Sequence, residues 1–218
     1  MYGIPVKEYT PAQKWILAST AHLAEAWGDS FNHLGTYQPT PGNKDMTQGI
    51  LNNAWEVTSK NDLLGVLNWL EHTGDRSAWE RDDMLAWDLV RYIYLCGMGH
   101  TAGFLNEKES WELCFPIARL LQKKYSSWRS LGAKYIEGRT LWGGDKKDNK
   151  TLETACKTLF DDTSSLWYMD WRTPLNEEEL VLKEVPIISK TYMFFLYVFV
   201  IMFSIAFVIG LFTVLSKL

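Results

Sequence analysis

AWERDDMLAWDLVRYIYLCGM, residues 78–98, is the longest amphipathic stretch in the charged part of the chain. Met84, Leu85, Leu89, Tyr92 and Leu95 recur at the three- and four-residue spacing of one helical face, which predicts a helix with those residues in the core. Gly97, Gly99 and Gly103 follow and are expected to end it. No segment of the chain alternates apolar and polar residues as a half-buried strand would, so the expected fold class is all-α.

Working outward, helix starts are legible from their caps. Thr10-Pro11-Ala12-Gln13 is a capping box with Pro at the first helical position, predicting a helix from 11 to about 27. Ile16, Thr20, Leu23 and Trp27 share one face of it, and His22 neighbours Trp15 and Ala18 on another. A segment from about 46 to 57 carries Ile50, Ala54 and Val57 at helical spacing. Ser59 with Asp62 opens a third helix, with Leu63, Val66, Leu67 and Leu70 inward, stopping near Gly74.

Downstream, Asn106 and Glu109 cap a helix from 107 to about 124, in which Pro116 is expected to introduce a kink. Ser126 or Ser127 caps the next, carrying Trp128, Leu131, Tyr135 and Leu141 to Trp142. Gly143 to Lys150 reads as a solvated loop and the best candidate for an internal boundary, followed by a helix ending near Phe160 and the segment Leu166 to Trp171. The domain reading is therefore a compact multi-helix domain over 1–175, an acidic linker over 176–191, and a different kind of segment beyond.

That last segment, Tyr192 to Leu215, is 24 residues without a charge, 16 of them Leu, Ile, Val or Phe. At ~1.5 Å per residue it spans about 36 Å against a hydrocarbon core of about 30 Å, so it reads as a single C-terminal transmembrane helix embedded in membrane lipid. Arg172, Lys183 and Lys190 precede it and Lys217 alone follows, which places the N-terminal domain in the cytoplasm. The opening Met-Tyr-Gly-Ile-Pro-Val-Lys has no apolar signal-peptide core, so the layout is that of a tail anchor. Within the run, Phe195, Phe199, Phe203 and Phe207 recur every four residues, and Ala206 with Gly210 forms a small-x-x-x-small pair. Both patterns are compatible with a homodimer through the span, and the phenylalanines read equally as lipid-facing residues.

Composition excludes several function classes. The chain is 47% hydrophobic and 22% charged, which does not fit a disordered protein. Residues 1–189 hold 20 Lys and Arg against 26 Asp and Glu, a net of -6, so neither nucleic acid nor anionic lipid is attracted by the domain as a whole. Cys96, Cys114 and Cys156 form no C-x-x-C pair and read as reduced thiols, the first two as small core hydrophobes. His22, His33, His72 and His100 are scattered and match no zinc spacing. No Gly-rich phosphate loop or Gly-x-Ser-x-Gly elbow occurs, and the reading assigns no metal, no cofactor and no catalytic residue.

Ala86-Trp87-Asp88, Arg91, Gly99, Gly103-Phe104-Leu105, Trp111, Tyr125-Ser126-Ser127-Trp128 and Tyr135-Ile136-Glu137-Gly138-Arg139 closing on Trp142 form an ordered pattern. It extends upstream through Trp55-Glu56-Val57, Trp69-Leu70 and Gly74-Asp75-Arg76, and downstream to Trp167 and Trp171. Together these residues resemble the bacterial domain of unknown function numbered 1266, over roughly residues 12–175. Asp75 departs from the resemblance, where His is expected in a Gly-His-Arg triplet, as do Leu166 and Asp170, where Pro often precedes each Trp. The resemblance implies a helical bacterial domain without an established activity. With the charge asymmetry, it implies the bacterial inner membrane as the location.

Within the pattern, Asp88 and Arg91 are three residues apart and so neighbours on one helix face, and Glu137 lies beside Arg139. If the two faces meet, Asp88, Arg91, Glu137 and Arg139 beside Trp87, Trp128 and Trp142 form a candidate polar cluster with an aromatic pocket for an anion or small molecule. The reading that paired charges at helical spacing favour is a buried ion-pair network that sets helix register, with the aromatic rings as packing. Two functions follow: a membrane-tethered helical interaction protein with a protein partner, such as a regulator or a toxin-neutralising partner, or a small-ligand sensor or enzyme using the polar cluster.

Overall fold

The computed structural model describes residues 9–78 and 84–175. They form eight α-helices and a short 3-10 turn: α1 Pro11–Trp27, α2 Pro41–Trp55, α3 Lys60–His72, α4 Gly74–Ala78, α5 Leu85–Thr101, α6 Glu107–Lys124, α7 Trp128–Trp142, α8 Lys146–Asp161, and the turn Leu166–Tyr168. The domain is all-helical, as the periodicity predicts. The acidic linker and the uncharged run at 192–215 lie outside the described residues. Among the described residues, no helix is long and apolar enough to cross a membrane.

Local capping explains most of the boundaries. Thr10 accepts from the Gln13 N–H while the Gln13 side chain accepts from the Thr10 N–H, and Asn106 with Glu109 repeats this reciprocal box. Ser59 and Ser127 accept from the third helical N–H of α3 and α7. α2 starts earlier than its apolar pattern does, because Thr40 caps it and Pro41 opens it.

α5 is the central element. Fourteen of its 17 residues are buried, and it packs against α1, α2, α3, α4, α6 and α7. It does not end at Gly97 or Gly99 as expected but runs on to Thr101, with the turn at Gly103. The two glycines serve packing instead. A Cβ on Gly97 would stand 2.2 Å from the Gly35 backbone nitrogen, and one on Gly99 would stand 2.3 Å from Leu63 Cδ2. These close approaches let the loop after α1 and helix α3 lie against α5.

Three other expectations are corrected. On α2 the buried positions are Thr47 and Leu51, while Ile50 is exposed; Val57, just beyond the helix, is buried as expected. α1 is buried around most of its circumference, including Trp15, Leu17, Ala18, Ala21 and His22, yet Trp27 at its end is 53% exposed. The Gly143 to Lys150 stretch is not a long loop. Asp145 caps the Lys147 and Asp148 N–H groups, so α8 starts at Lys146 and only a tight turn separates it from α7.

The segment after α8 returns across α1 and α7 and is held by indole N–H groups. Trp167 Nε1 donates to Ala18 O at 2.8 Å, Trp15 Nε1 to Trp171 O at 2.8 Å, and Trp128 Nε1 to Met169 O at 3.0 Å. Trp15, Trp128 and Trp171 pack with ring centroids 4.7–5.0 Å apart, so Trp15 and Trp128 each gain burial and a satisfied donor together. Cys96 and Cys114 are buried. Burial pushes the Cys96 thiol well above its usual range and the Cys156 thiol up to about 12, which keeps both protonated. Replacing Trp15 by Ala is expected to destabilise the protein by about 3–5 kcal/mol in denaturant unfolding, the cost of a buried aromatic cavity.

Candidate functional site

The turn between α3 and α4 and the first turn of α5 bring four charges together. Asp88 is fully buried, and its two carboxylate oxygens accept four hydrogen bonds. Oδ1 accepts from the Asp75 N–H at 3.1 Å and Arg91 Nη2 at 2.7 Å; Oδ2 accepts from the Arg76 N–H at 3.2 Å and Arg76 Nη1 at 2.9 Å. The two backbone donors belong to the first turn of α4, where N–H groups have no partner within the helix. Asp88 therefore caps α4 from a neighbouring helix. The close approach requires glycine at 74, where φ is +58° and a Cβ would stand 2.1 Å from Asp88 Oδ2.

Arg76 extends the junction to α3. Its Nη1 donates to Leu70 O at 2.7 Å and its Nη2 to Glu71 O, which satisfies carbonyls in the last turn of that helix. Arg91 donates from Nε to Trp87 O at 3.0 Å and from Nη2 to Asp75 Oδ2 at 2.6 Å as well as to Asp88. Its guanidinium lies 4.0 Å from the Trp87 ring centroid and 5.3 Å from that of Trp55. Trp87 Nε1 donates to Asp75 Oδ2 at 3.0 Å. Two carboxylates and two guanidiniums thus balance in charge.

Glu137 and Arg139 do not join this cluster. Residues two apart on a helix point to different faces. Glu137 is exposed and pairs with Lys134 at 2.7 Å. Arg139 turns toward α8, donating to Asp145 O, to Asn149 Oδ1 and to Asp148 Oδ2, the last at 2.9 Å, and so ties the α7–α8 turn. The tryptophans divide in the same way. Trp142 packs against Trp87 with ring centroids 5.4 Å apart and planes tilted by 38°, whereas Trp128 belongs to the cluster with Trp15 and Trp171.

Sequence reasoning placed Asp88 and Arg91 together but missed Asp75, Arg76 and Trp55 as their partners. The available signal was the Gly74-Asp75-Arg76 triplet, a glycine followed by two opposite charges at a helix start.

A buried aromatic path leads from this cluster to the second one. Tyr135 contacts Trp87 at 5.2 Å and His22 at 4.7 Å, and His22 contacts Trp167 at 5.8 Å. Burial raises the Tyr135 phenol pKa, against the pull of Arg91 and Arg139. Among the described residues, neither ring nitrogen of His22 has a hydrogen-bond partner.

Comparison with known proteins bears on this same region. Residues 77–171 match the model of a family described as protein of unknown function, DUF1266. The match takes in α5 to α8 with Asp88, Arg91, Trp87 and Trp142. It is narrower than the resemblance over 12–175 and leaves Asp75 and Arg76 outside. Over 82 residues the chain is 33% identical to the uncharacterized protein YbeR of Escherichia coli (strain K12), an alignment covering 37% of this chain and 35% of that protein. The chain thus aligns with about a third of the length of this curated relative. No solved structure matches.

Burial lowers the His22 pKa from 6.5 to about 3. The folded protein keeps the ring neutral while the unfolded chain takes up a proton below about 6.5, so stability rises with pH across this window and falls as pH drops through it. Between pH 7 and pH 4 the His22 contribution is a loss of roughly 3 kcal/mol. Unfolding midpoints in urea across that range are expected to show this loss, and His22→Leu is expected to flatten the dependence.

Proposed function

We propose that this chain is a membrane-tethered helical interaction protein, with the helical domain in the cytoplasm and residues 192–215 anchoring it in the bacterial inner membrane. The observation that carries the interaction reading is Trp142. The residue is 48% exposed yet its ring packs against Trp87, which is fixed by Asp75 and by the Arg91 guanidinium. A rigid, half-exposed indole gives large contact area at low ordering cost, the property of residues that dominate protein–protein binding energy. The anchor reading is supported by the 24-residue uncharged run, whose Phe and small-residue repeats also allow self-association there.

A small-ligand sensor or enzyme built on Asp88, Arg91, Glu137 and Arg139 has less support. Asp88 and Arg91 are engaged with Asp75 and Arg76, while Glu137 and Arg139 have partners elsewhere. A ligand would have to displace those partners and leave a buried charge unpaired.

The test begins with the full-length chain in bacterial membranes, where it is expected to stay in the pellet after alkaline carbonate washing. A protein partner recovered with the detergent-solubilised wild type is expected to be reduced about tenfold or more by Trp142→Ala and unchanged by Glu137→Ala. Release by carbonate would overturn the anchor, and equal recovery with both variants would overturn Trp142 as the contact.

A further inference from the structure

Helix α3 packs against α5 and α4, and its buried residues are Leu63, Leu67 and Leu70. At about 100° per residue these three fall within an arc of about 60°, while Asp62, Gly65, Trp69 and His72 fall within an arc of about 80° on the other side. All four are exposed, Trp69 by 39%. Gly65 sits in the interior of the helix, where glycine weakens a helix relative to almost any other residue. Its φ is not positive, and among the described residues nothing lies within 4 Å of the place a Cβ would take. Neither a turn nor close packing within the described residues therefore calls for glycine there. One turn on, Trp69 presents a large apolar ring at the same surface. A single exposed ring is common on proteins, so neither residue alone points to a partner.

What joins them is register. When two α3 helices pack antiparallel about a two-fold axis centred on position 67, residues equally far from 67 on either side meet across the axis. Trp69 and Gly65 are each two residues from 67, so the indole of each copy lies over the glycine of the other. The absent side chain lets the helices approach at the short end of the 8–10 Å range usual for packed helices. Asp62 and His72 are each five residues from 67, so the same register sets a carboxylate beside an imidazole at both ends of the contact. We propose that a second copy of this chain docks on this face, forming a symmetric homodimer in which Trp69 of each copy packs on Gly65 of the other. Asn61 and Asn68, both exposed and uncharged, border the face and bring no like charges together. The contact lies on a different helix from Trp142 and does not depend on residues 192–215. Thirteen helical residues span about 20 Å, which makes a small interface and a weak dimer, one that trapping reads better than sedimentation.

Site-directed cross-linking of the full-length protein in detergent tests this. Cys96 and Cys114 are buried, and the partly exposed Cys156 is replaced by Ser. Asp62→Cys and His72→Cys are made separately, each keeping Gly65, Trp69 and the Ser59 cap, and are mixed before a short bismaleimide is added. The mixture is expected to give several-fold more cross-linked dimer than either variant alone. Positions 62 and 72 face each other in this register, whereas position 62 of one copy lies about 15 Å along the axis from position 62 of the other. Adding Gly65→Leu to both partners is expected to cut the product to the level of the single variants, with the helical circular dichroism and the urea midpoint kept or raised. Gly65→Ala, the smaller change, is expected to lower it at least about twofold with the fold equally intact. Equal product from the mixture and from each variant alone would overturn the proposal, and is the result expected if the span alone holds copies together. A mixed product that survives both changes at Gly65 would overturn it as well.

Discussion

The Asp88 carboxylate is the constraint on which the surrounding structure depends. A buried carboxylate is stable only if its lone pairs are filled by good donors, and here four donors fill them. Two come from the start of α4, one from an Arg76 side chain that also holds the end of α3, and one from Arg91 on α5 itself. Three helices therefore meet at one side chain. The cost of burying the charge is offset only while all of those elements are in place, so the junction specifies helix register more than it adds net stability.

From that junction the packing runs through aromatic rings. Arg91 and Asp75 fix Trp87, which supports both the half-exposed Trp142 outside and Tyr135 inside. Tyr135 meets His22 on α1, and His22 meets Trp167 in the returning segment, where three indole N–H groups bond backbone carbonyls. The second cluster thus closes the far side of the domain around α1. Polar registration on one side and aromatic closure on the other leave α5 buried between them.

The caps at Thr10, Ser59, Asn106 and Ser127 were legible because capping is local and its residues lie within three positions of each other. The Asp88–Arg91 pair was legible for the same reason. Asp75 lies 16 residues before Arg91, and no local rule brings them together; only the folded junction of α3, α4 and α5 does. Pairing Glu137 with Arg139 failed because a two-residue step turns a helix by about 200°, which separates their faces. Gly97 and Gly99 read as helix enders because, from sequence alone, a missing Cβ that admits a neighbouring backbone looks the same as one that frees φ.

The central claim is that Asp88 and Arg91 form an internal clamp that holds Trp87 beneath Trp142, and not an open binding site. A double-mutant cycle of Asp88→Asn and Arg91→Met, measured by equilibrium unfolding in urea, tests it most directly. The account predicts that each single change costs about 3–5 kcal/mol and that the pair is non-additive by at least about 1 kcal/mol. Single changes that each leave stability within about 0.5 kcal/mol of the unaltered protein would contradict the clamp and return these two side chains to the role of ligand-binding groups.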